Sequence, residues 1–156
     1  MSSVAKMIPP PGSRATGVGG LPHTDPVQAC DDVLAIFPEF PYIPTLPNRA
    51  LLEGIVFNDS EQLPGRIIRE DRLLFDSTRD QTAAMEKVYM DFVEGDFASY
   101  GLHEEYASAF IEMMTRNIPS AQVLKCQVTG PVTFGMQVVD ADKRPIYYDT
   151  QLADVL

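Results

Sequence analysis

The chain has only two cysteines among its 156 residues, Cys30 and Cys126, and they lie far apart in the sequence. Two such residues form no disulfide framework, and neither belongs to a C-x-x-C pair of the kind that holds zinc. Because both lie in apolar stretches, we expect buried structural thiols. Long apolar runs are also missing, which argues against a transmembrane helix and a membrane partner, and the N-terminus lacks the apolar core of a signal peptide. The expected location is the cytoplasm.

Basic residues are scarce. The chain has 12 lysines and arginines against 22 acidic residues, a formal net charge of −10. Residues 53–112 contain 14 acids and 5 bases, so most of the excess lies there. Such a segment repels phosphate backbones, and nucleic acid is therefore not an expected partner. We interpret the acids as solvated helix faces.

The length predicts one domain with a buried core. Residues 1–15 are rich in proline and lack periodicity, which is typical of a flexible N-terminal arm. After the arm, apolar periodicity and turn residues predict a series of elements. They are a strand at 16–20, a helix capped by Asp25, a short strand at 42–43, a helix at 49–57, a hairpin at 65–76, helices at 80–93 and 104–117, a strand from 123, and a helix starting after Asp149.

The stretch Gln122–Gly135 has a single charged residue, Lys125, and the first half of the stretch alternates in polarity. Leu124, Cys126 and Val128 fall on one side, and Lys125, Gln127 and Thr129 fall on the other. A strand with one apolar and one polar side is typical of a barrel wall that packs helices outside and encloses a wetter interior. We expect Lys125 to lie at the strand start and to form an ion pair.

These observations predict an α/β fold, the N-terminal portion of a TIM (β/α)8 barrel with about three βα units. The domain would span residues 16–156 and end at the start of a helix. Three parallel strands leave one sheet edge unpaired. We therefore expect self-association or a completing chain at that edge.

Candidate ligand contacts lie on the two loops that follow predicted strands, because sites of parallel βα proteins gather at the carboxyl ends of strands. His23 is either a substrate contact or proton-transfer group, or a hydrogen-bonded loop histidine beside Asp25. Gln127 and Thr129 either contact a ligand from inside the barrel or belong to a polar layer satisfied by its neighbours. Gly130 lies at the mouth beside Thr129.

The same loops resemble a known family. Val18-Gly19-Gly20-Leu21-Pro22-His23-Thr24 resembles the V/I-G-S-x-P-x-T opening of cobalamin-independent methionine synthase, and Val128–Thr133 resembles its L-T-G-P-V-T strand end. Tyr42–Pro47 is similar to the P-x-x-P-x-L-P segment of shorter relatives. The wider superfamily includes uroporphyrinogen decarboxylase and corrinoid-dependent methyltransferases, all on TIM barrels.

The resemblance implies that Val18, Gly19 and Gly20 help to bind the substrate, as the matching opening binds homocysteine in the synthase. Glycine replaces the serine of that motif at position 20, so the hydroxyl contact is lost. The zinc ligands of the synthase come from a later part of the barrel. We therefore expect no cofactor in this chain, although the full-length protein could hold zinc.

The resemblance also implies a function. The chain is expected to be the N-terminal fragment of a methionine-synthase-like methyltransferase of methionine biosynthesis, inactive alone, with catalytic residues that the sequence does not identify. Its partners would be a small-molecule thiol or methyl donor and a corrinoid protein. Two alternatives stay open: a non-catalytic binding or assembly module, and a uroporphyrinogen-decarboxylase-like enzyme that acts on tetrapyrroles.

Overall fold

The computed structural model describes residues 12–153, except for the side chain of Gln151. Most of the expected N-terminal arm and the last three residues of the expected C-terminal helix lie outside this range. The helices are α1 (Pro26–Ile36), α2 (Ile55–Asn58), α3 (Thr82–Glu94), α4 (Glu104–Thr115), α5 (Pro131–Gln137) and α6 (Thr150–Ala153). The strands are β1 (Arg66–Arg69) and β2 (Arg72–Phe75), and single 3₁₀ turns occupy Leu51–Glu53, Ala98–Tyr100 and Ile146–Tyr148.

The predicted fold class is wrong. Within residues 12–153 the sheet structure is the antiparallel pair β1–β2, and there is no three-stranded portion of a TIM barrel. The stretches expected as parallel strands meet only through isolated parallel bridges, from Gly20 to Thr45 and from Tyr42 to Lys125. The prolines around the middle stretch explain this outcome, because Pro44 lacks the N–H that a longer ladder needs.

The hairpin is confirmed. β1 and β2 pair from Arg66 with Phe75 to Arg69 with Arg72. The two residues between them, Glu70 and Asp71, have φ angles of 50° and 58°. Positive φ at both central positions is typical of the type I′ turn, whose twist matches that of the flanking strands.

Helix α1 is also confirmed, and local signals set its start. The Asp25 carboxylate accepts a hydrogen bond of 2.9 Å from the Val27 N–H, and Pro26 occupies the first turn. Together they satisfy a free backbone donor and fix φ where the helix begins. The buried face of α1 includes Cys30 and Val33.

The other helices differ from expectation in their breaks and their buried faces. The helix expected at 49–57 is interrupted at Gly54, whose ψ of 138° is extended, and α2 follows as a short separate helix. Helix α3 forms, but no side chain of it is fully buried, and Phe92, expected to face inward, is 70% exposed. Helix α4 buries Met113 rather than the expected Met114.

Helix α5 lies where the sequence predicts the end of a strand. Its first residue is Pro131, and Gly130 precedes it in an extended conformation. Proline suits the first helical position because its missing N–H would have no partner there. The Gly130-Pro131 pair therefore starts a helix and does not close a strand.

Two clusters of buried apolar side chains hold the described chain together. The first joins α1, the 42–46 stretch and α4, and contains Ala29, Cys30, Val33, Tyr42, Ile43, Leu46, Ala109 and Met113. The second joins β2, α5 and the chain after it, and contains Leu73, Phe75, Phe134, Val138, Ile146 and Leu152. Helices long and apolar enough to cross a membrane do not occur between residues 12 and 153.

Candidate functional site

The three stretches that carry the sequence motifs lie side by side. The Leu21 N–H donates to the Thr45 carbonyl at 2.9 Å, and the Ile43 N–H donates to the Lys125 carbonyl at 2.9 Å. The 42–45 stretch therefore lies between the glycine-rich loop and the stretch around Lys125. Residues that are about a hundred positions apart in the chain thus become neighbours.

The polar side of the alternating stretch faces the glycine-rich loop. Lys125 Nζ donates to the Gly17 carbonyl at 3.0 Å, in place of the expected ion pair. The Gly19 N–H donates to Gln127 Oε1 at 3.2 Å. Because a backbone N–H can only donate, this bond determines the orientation of the Gln127 amide, with Oε1 towards Gly19 and Nε2 turned away.

Two different causes explain two glycines of the loop: a positive φ at Gly19 and close packing at Gly20. Gly19 has φ +96°, which L side chains rarely adopt. A Cβ at Gly20 would lie 3.1 Å from Pro47 Cδ and 3.3 Å from the Thr45 hydroxyl oxygen. The serine of the methionine synthase motif would therefore need its neighbours to shift. Val18, the first predicted substrate contact, is 71% exposed beside this loop.

His23 is held by helix α1. Its Nε2 lies 2.8 Å from Asp32 Oδ2, while Nδ1 is buried and lacks a hydrogen-bond partner within the described chain. Asp25 caps α1, as predicted. His23 is thus an anchored loop histidine whose second nitrogen is unpaired, and its role in substrate contact stays a prediction.

Thr129 is bonded to the segment around α2 through both its backbone and its side chain. Its N–H donates to Asp59 Oδ2 at 2.7 Å, and its hydroxyl donates to the Ile55 carbonyl at 3.2 Å. These bonds favour the polar-layer interpretation for the Thr129 hydroxyl. Gly130 follows as the N-cap of α5, with open space where a side chain would point.

The two cysteines differ. Cys30 is buried, as expected, and its thiol lies 3.5 Å from the Ala109 carbonyl oxygen. Burial raises the pKa of the Cys30 thiol to about 11. Cys126 is exposed, so the prediction of a second buried thiol is wrong. Its apolar neighbour Val128 is 79% exposed, because the stretch makes no continuous ladder that would hold this side against a core.

The described residues do not fit a zinc site. Between residues 12 and 153 no three His, Cys, Asp or Glu side chains come together in a group that could hold a metal ion. His103 pairs with Glu61 at 2.7 Å, and His23 pairs with Asp32, in separate places.

A groove of about 410 Å³ opens next to Thr129. Its polar lining residues include Asp59, Gln62 and Thr129, and its apolar walls come from α3, the turn after it, the start of α5 and the segments before β1 and before α5. The wall residues are Leu63, Pro64, Val88, Phe92, Phe97, Tyr100, Val128, Pro131 and Phe134. A concave, mainly apolar surface with a few polar groups at one end is the usual form of a ligand site.

Glu53 is the functional candidate that the sequence does not reveal. Its side chain is 1% exposed, and its Oε1 accepts hydrogen bonds from Arg49 at 2.6 Å and from the Ser108 hydroxyl at 2.7 Å. Its Oε2 has no partner within the described chain, and neither does Gln127 Nε2. Glutamate is rarely buried. Glu53 is also not one of the apolar residues that define the inner face of the helix predicted at 49–57, so the sequence places it on the solvent side. The only local hint is Arg49, four residues earlier.

Comparisons of the chain with protein-family models, with curated proteins and with solved structures found no match. The likeness of the three motifs to the methionine synthase superfamily therefore stays a prediction.

Proposed function

We propose that the chain forms the substrate-binding part of a methyltransferase of the methionine-synthase-like class. The ligand, a small thiol or a methyl donor, would bind where the Gly19–Gly20 loop meets Gln127. The observation that carries the proposal is the hydrogen bond of 3.2 Å from the Gly19 N–H to the Gln127 side chain. It joins the glycine-rich motif to the residue that directly precedes the Val128–Thr133 motif.

The local backbone suits a ligand that approaches the main chain closely. Gly19 offers open space where a side chain would stand, and its positive φ favours glycine. Thr45 and Pro47 form the opposite wall, within 3.3 Å of an added Cβ at Gly20. The loop is therefore packed at Gly20 and open at Gly19, so a ligand at Gly19 would meet the backbone directly.

Nuclear magnetic resonance of the ¹⁵N-labelled chain tests the proposal. We expect saturable shifts of the Gly19 and Gly20 amide signals on addition of homocysteine, as the thiol, or of methylcobalamin, as the methyl donor. Unchanged Gly19 and Gly20 signals with both probes would contradict the proposal. Shifts with uroporphyrin alone would favour the decarboxylase alternative.

A pair of glycine variants separates ligand binding from backbone strain. Gly19→Ala adds a methyl group in the open space at the proposed ligand site, and Gly95→Ala adds one at the end of α3, where φ is +72°. Neither new Cβ would meet an atom within 4 Å, so the two variants carry similar strain. We expect Gly19→Ala to weaken ligand binding about fivefold or more, because the methyl group takes up space that the ligand would fill, while Gly95→Ala does not change it.

The assembly alternative is favoured by a specific observation, the exposed apolar side chains of α3 and of the turn that follows it. Phe92, Val93 and Phe97 all expose more than half of their surface. Such a patch is typical of a surface that another chain covers. We propose self-association through α3 as the second candidate.

Sedimentation velocity over a range of protein concentrations tests this second candidate. Self-association should strengthen with added salt, because each copy carries a formal charge of −10 and salt screens the repulsion. The variant Phe92→Ser should weaken association, and Tyr147→Ser, at an exposed position far along the chain, serves as the control. A chain that stays monomeric at every concentration and salt level argues against an assembly role.

A further inference from the structure

A small cavity lies between the 43–45 stretch, α4 and the Cys126-Gln127 pair. Its volume is about 30 Å³, and its polar lining includes Glu53, Asn58 and Gln127. A cavity of this size holds about one water-sized group when polar partners are present. Glu53 is 1% exposed, and its Oε2 has no partner within the described chain. The Gln127 Nε2 atom is likewise buried without a partner there.

The two unpartnered atoms need opposite things. Arg49 and Ser108 both donate to the other carboxylate oxygen, Oε1. Glu53 Oε2 is therefore an acceptor that needs a donor of its own. Gln127 Nε2 carries hydrogens and needs an acceptor, and the Gly19 bond prevents the amide from turning round. A hydroxyl group both donates and accepts, so one hydroxyl in the cavity satisfies both atoms. Buried polar atoms left without partners are costly, which makes such an occupant favourable.

Charge argues against a cation in the same place. Arg49 Nη1 lies 2.6 Å from Glu53 Oε1, and this ion pair already offsets the carboxylate charge. An ammonium group would also present only donors to Gln127 Nε2, and two donors repel. A neutral hydroxyl meets neither objection.

We propose that Glu53 and Gln127 form a binding site for the hydroxyl group of a small ligand, whose remaining atoms would lie outside the cavity. Water supplies the same chemistry when no ligand is bound, so the test must distinguish the two. The site goes beyond the proposed function and does not depend on it, because it concerns the inner cavity and holds for any hydroxyl-bearing ligand that reaches Gln127.

Two probes of nearly equal shape test the proposal. 2-Propanol donates and accepts hydrogen bonds, whereas acetone only accepts them. The readout is the side-chain NH₂ signal of Gln127 in the full chain, followed by ¹⁵N resonance. We expect saturable shifts with 2-propanol and about tenfold weaker binding of acetone, because acetone leaves Glu53 Oε2 without a donor.

The variant Glu53→Gln reverses the requirement. Its carbonyl can keep the bonds from Arg49 and Ser108, and its NH₂ takes the place of Oε2, so the cavity then contains two donors. We expect this variant to prefer acetone. Glu39→Gln, the same change at a carboxylate that is 61% exposed, is the matched control and should keep the preference for 2-propanol.

Each outcome decides the proposal. Equal binding of the two probes to the unaltered chain overturns it. Binding of neither probe, with a long-lived water detected beside the Gln127 NH₂, shows that water alone occupies the cavity and also overturns it. If Glu53→Gln does not fold, as judged from its backbone amide spectrum, the comparison of the two probes on the unaltered chain still decides.

Discussion

Arg49 neutralises a buried carboxylate, and its replacement tests how much this pairing stabilises the fold. The Glu53 side chain is 1% exposed, whereas the Arg49 side chain is 31% exposed. The substitution Arg49→Met keeps most of the apolar stem and removes the guanidinium. The carboxylate is then buried with the Ser108 hydroxyl, 2.7 Å away, as its closest donor.

The expected cost follows from this burial. Removing one partner of a fully buried ion pair costs about 3–5 kcal/mol, because the remaining charge has neither water nor a partner. Arg49 is partly exposed, so water can reach its place and screen part of the loss. We therefore expect Arg49→Met to lower the free energy of unfolding by about 2–3 kcal/mol.

Substitution of the other partner of the pair, Glu53, should lower the free energy of unfolding by less. In Glu53→Gln the side chain keeps its shape and its acceptor for Arg49 and Ser108, and Arg49 is left partly solvated. We expect a loss of about 1 kcal/mol, the net contribution of a charged hydrogen bond replaced by a neutral one. The double variant Arg49→Met, Glu53→Gln should lose less than the sum of the two, because a neutral glutamine no longer needs the guanidinium.

Urea unfolding followed by far-UV circular dichroism measures these values, and an unchanged slope shows that the unfolding reaction is the same. Arg79→Met is the control, because Arg79 also pairs with a carboxylate, Asp76 at 3.2 Å, but is 81% exposed. Its urea midpoint should not change. Equal losses for the variants of Arg49 and Arg79, or a larger loss for Glu53→Gln than for Arg49→Met, would refute the reasoning.

Two further predictions concern other parts of the chain. Gly65→Ala should lower the unfolding free energy by about 2 kcal/mol or more, because φ is +70° and the new Cβ would lie 2.7 Å from Phe75; a melting temperature within one degree of the parent would contradict it. Cys126 should react with a thiol reagent at pH 8 much faster than Cys30, whose pKa of about 11 leaves on the order of one thiol in a thousand ionised. Mass spectrometry of the labelled chain identifies the cysteine that reacts first, and comparable rates would show that Cys30 is not buried.

Elements with short-range causes could be predicted from the sequence. Helix α1 begins where the Asp25 side chain accepts a hydrogen bond from the first turn and Pro26 fixes φ. Both residues act on neighbours that lie within three positions in the sequence. The hairpin likewise depends on the two residues at its turn, Glu70 and Asp71. In each case the interactions that determine the element join residues only a few positions apart, so the local sequence pattern contains them.

Pairing between distant stretches could not be predicted in the same way. The alternation from Leu124 to Thr129 indicates an extended chain with two different sides, but it does not specify what lies next to either side. The structure pairs this stretch once, at Lys125, and leaves Val128 exposed. A barrel wall needs a continuous parallel strand beside this stretch. The proline-rich 41–47 stretch does not supply one, because prolines lack the N–H groups of a ladder.

Gln127 connects what the sequence predicted with what it missed. Its Oε1 accepts from the Gly19 N–H in the predicted loop, and Gln127 also lines the cavity beside Glu53, a residue that the sequence does not identify as buried. A hydroxyl that binds Nε2 would restrict the same amide that orders Gly19. Occupation of the cavity and order of the loop should therefore favour each other, and by linkage a ligand bound at the loop should strengthen binding in the cavity by the same factor. The polar side of the alternating stretch thus has contacts that do not require a barrel: Gln127 bonds to a surface loop and lines the cavity that a buried carboxylate also lines.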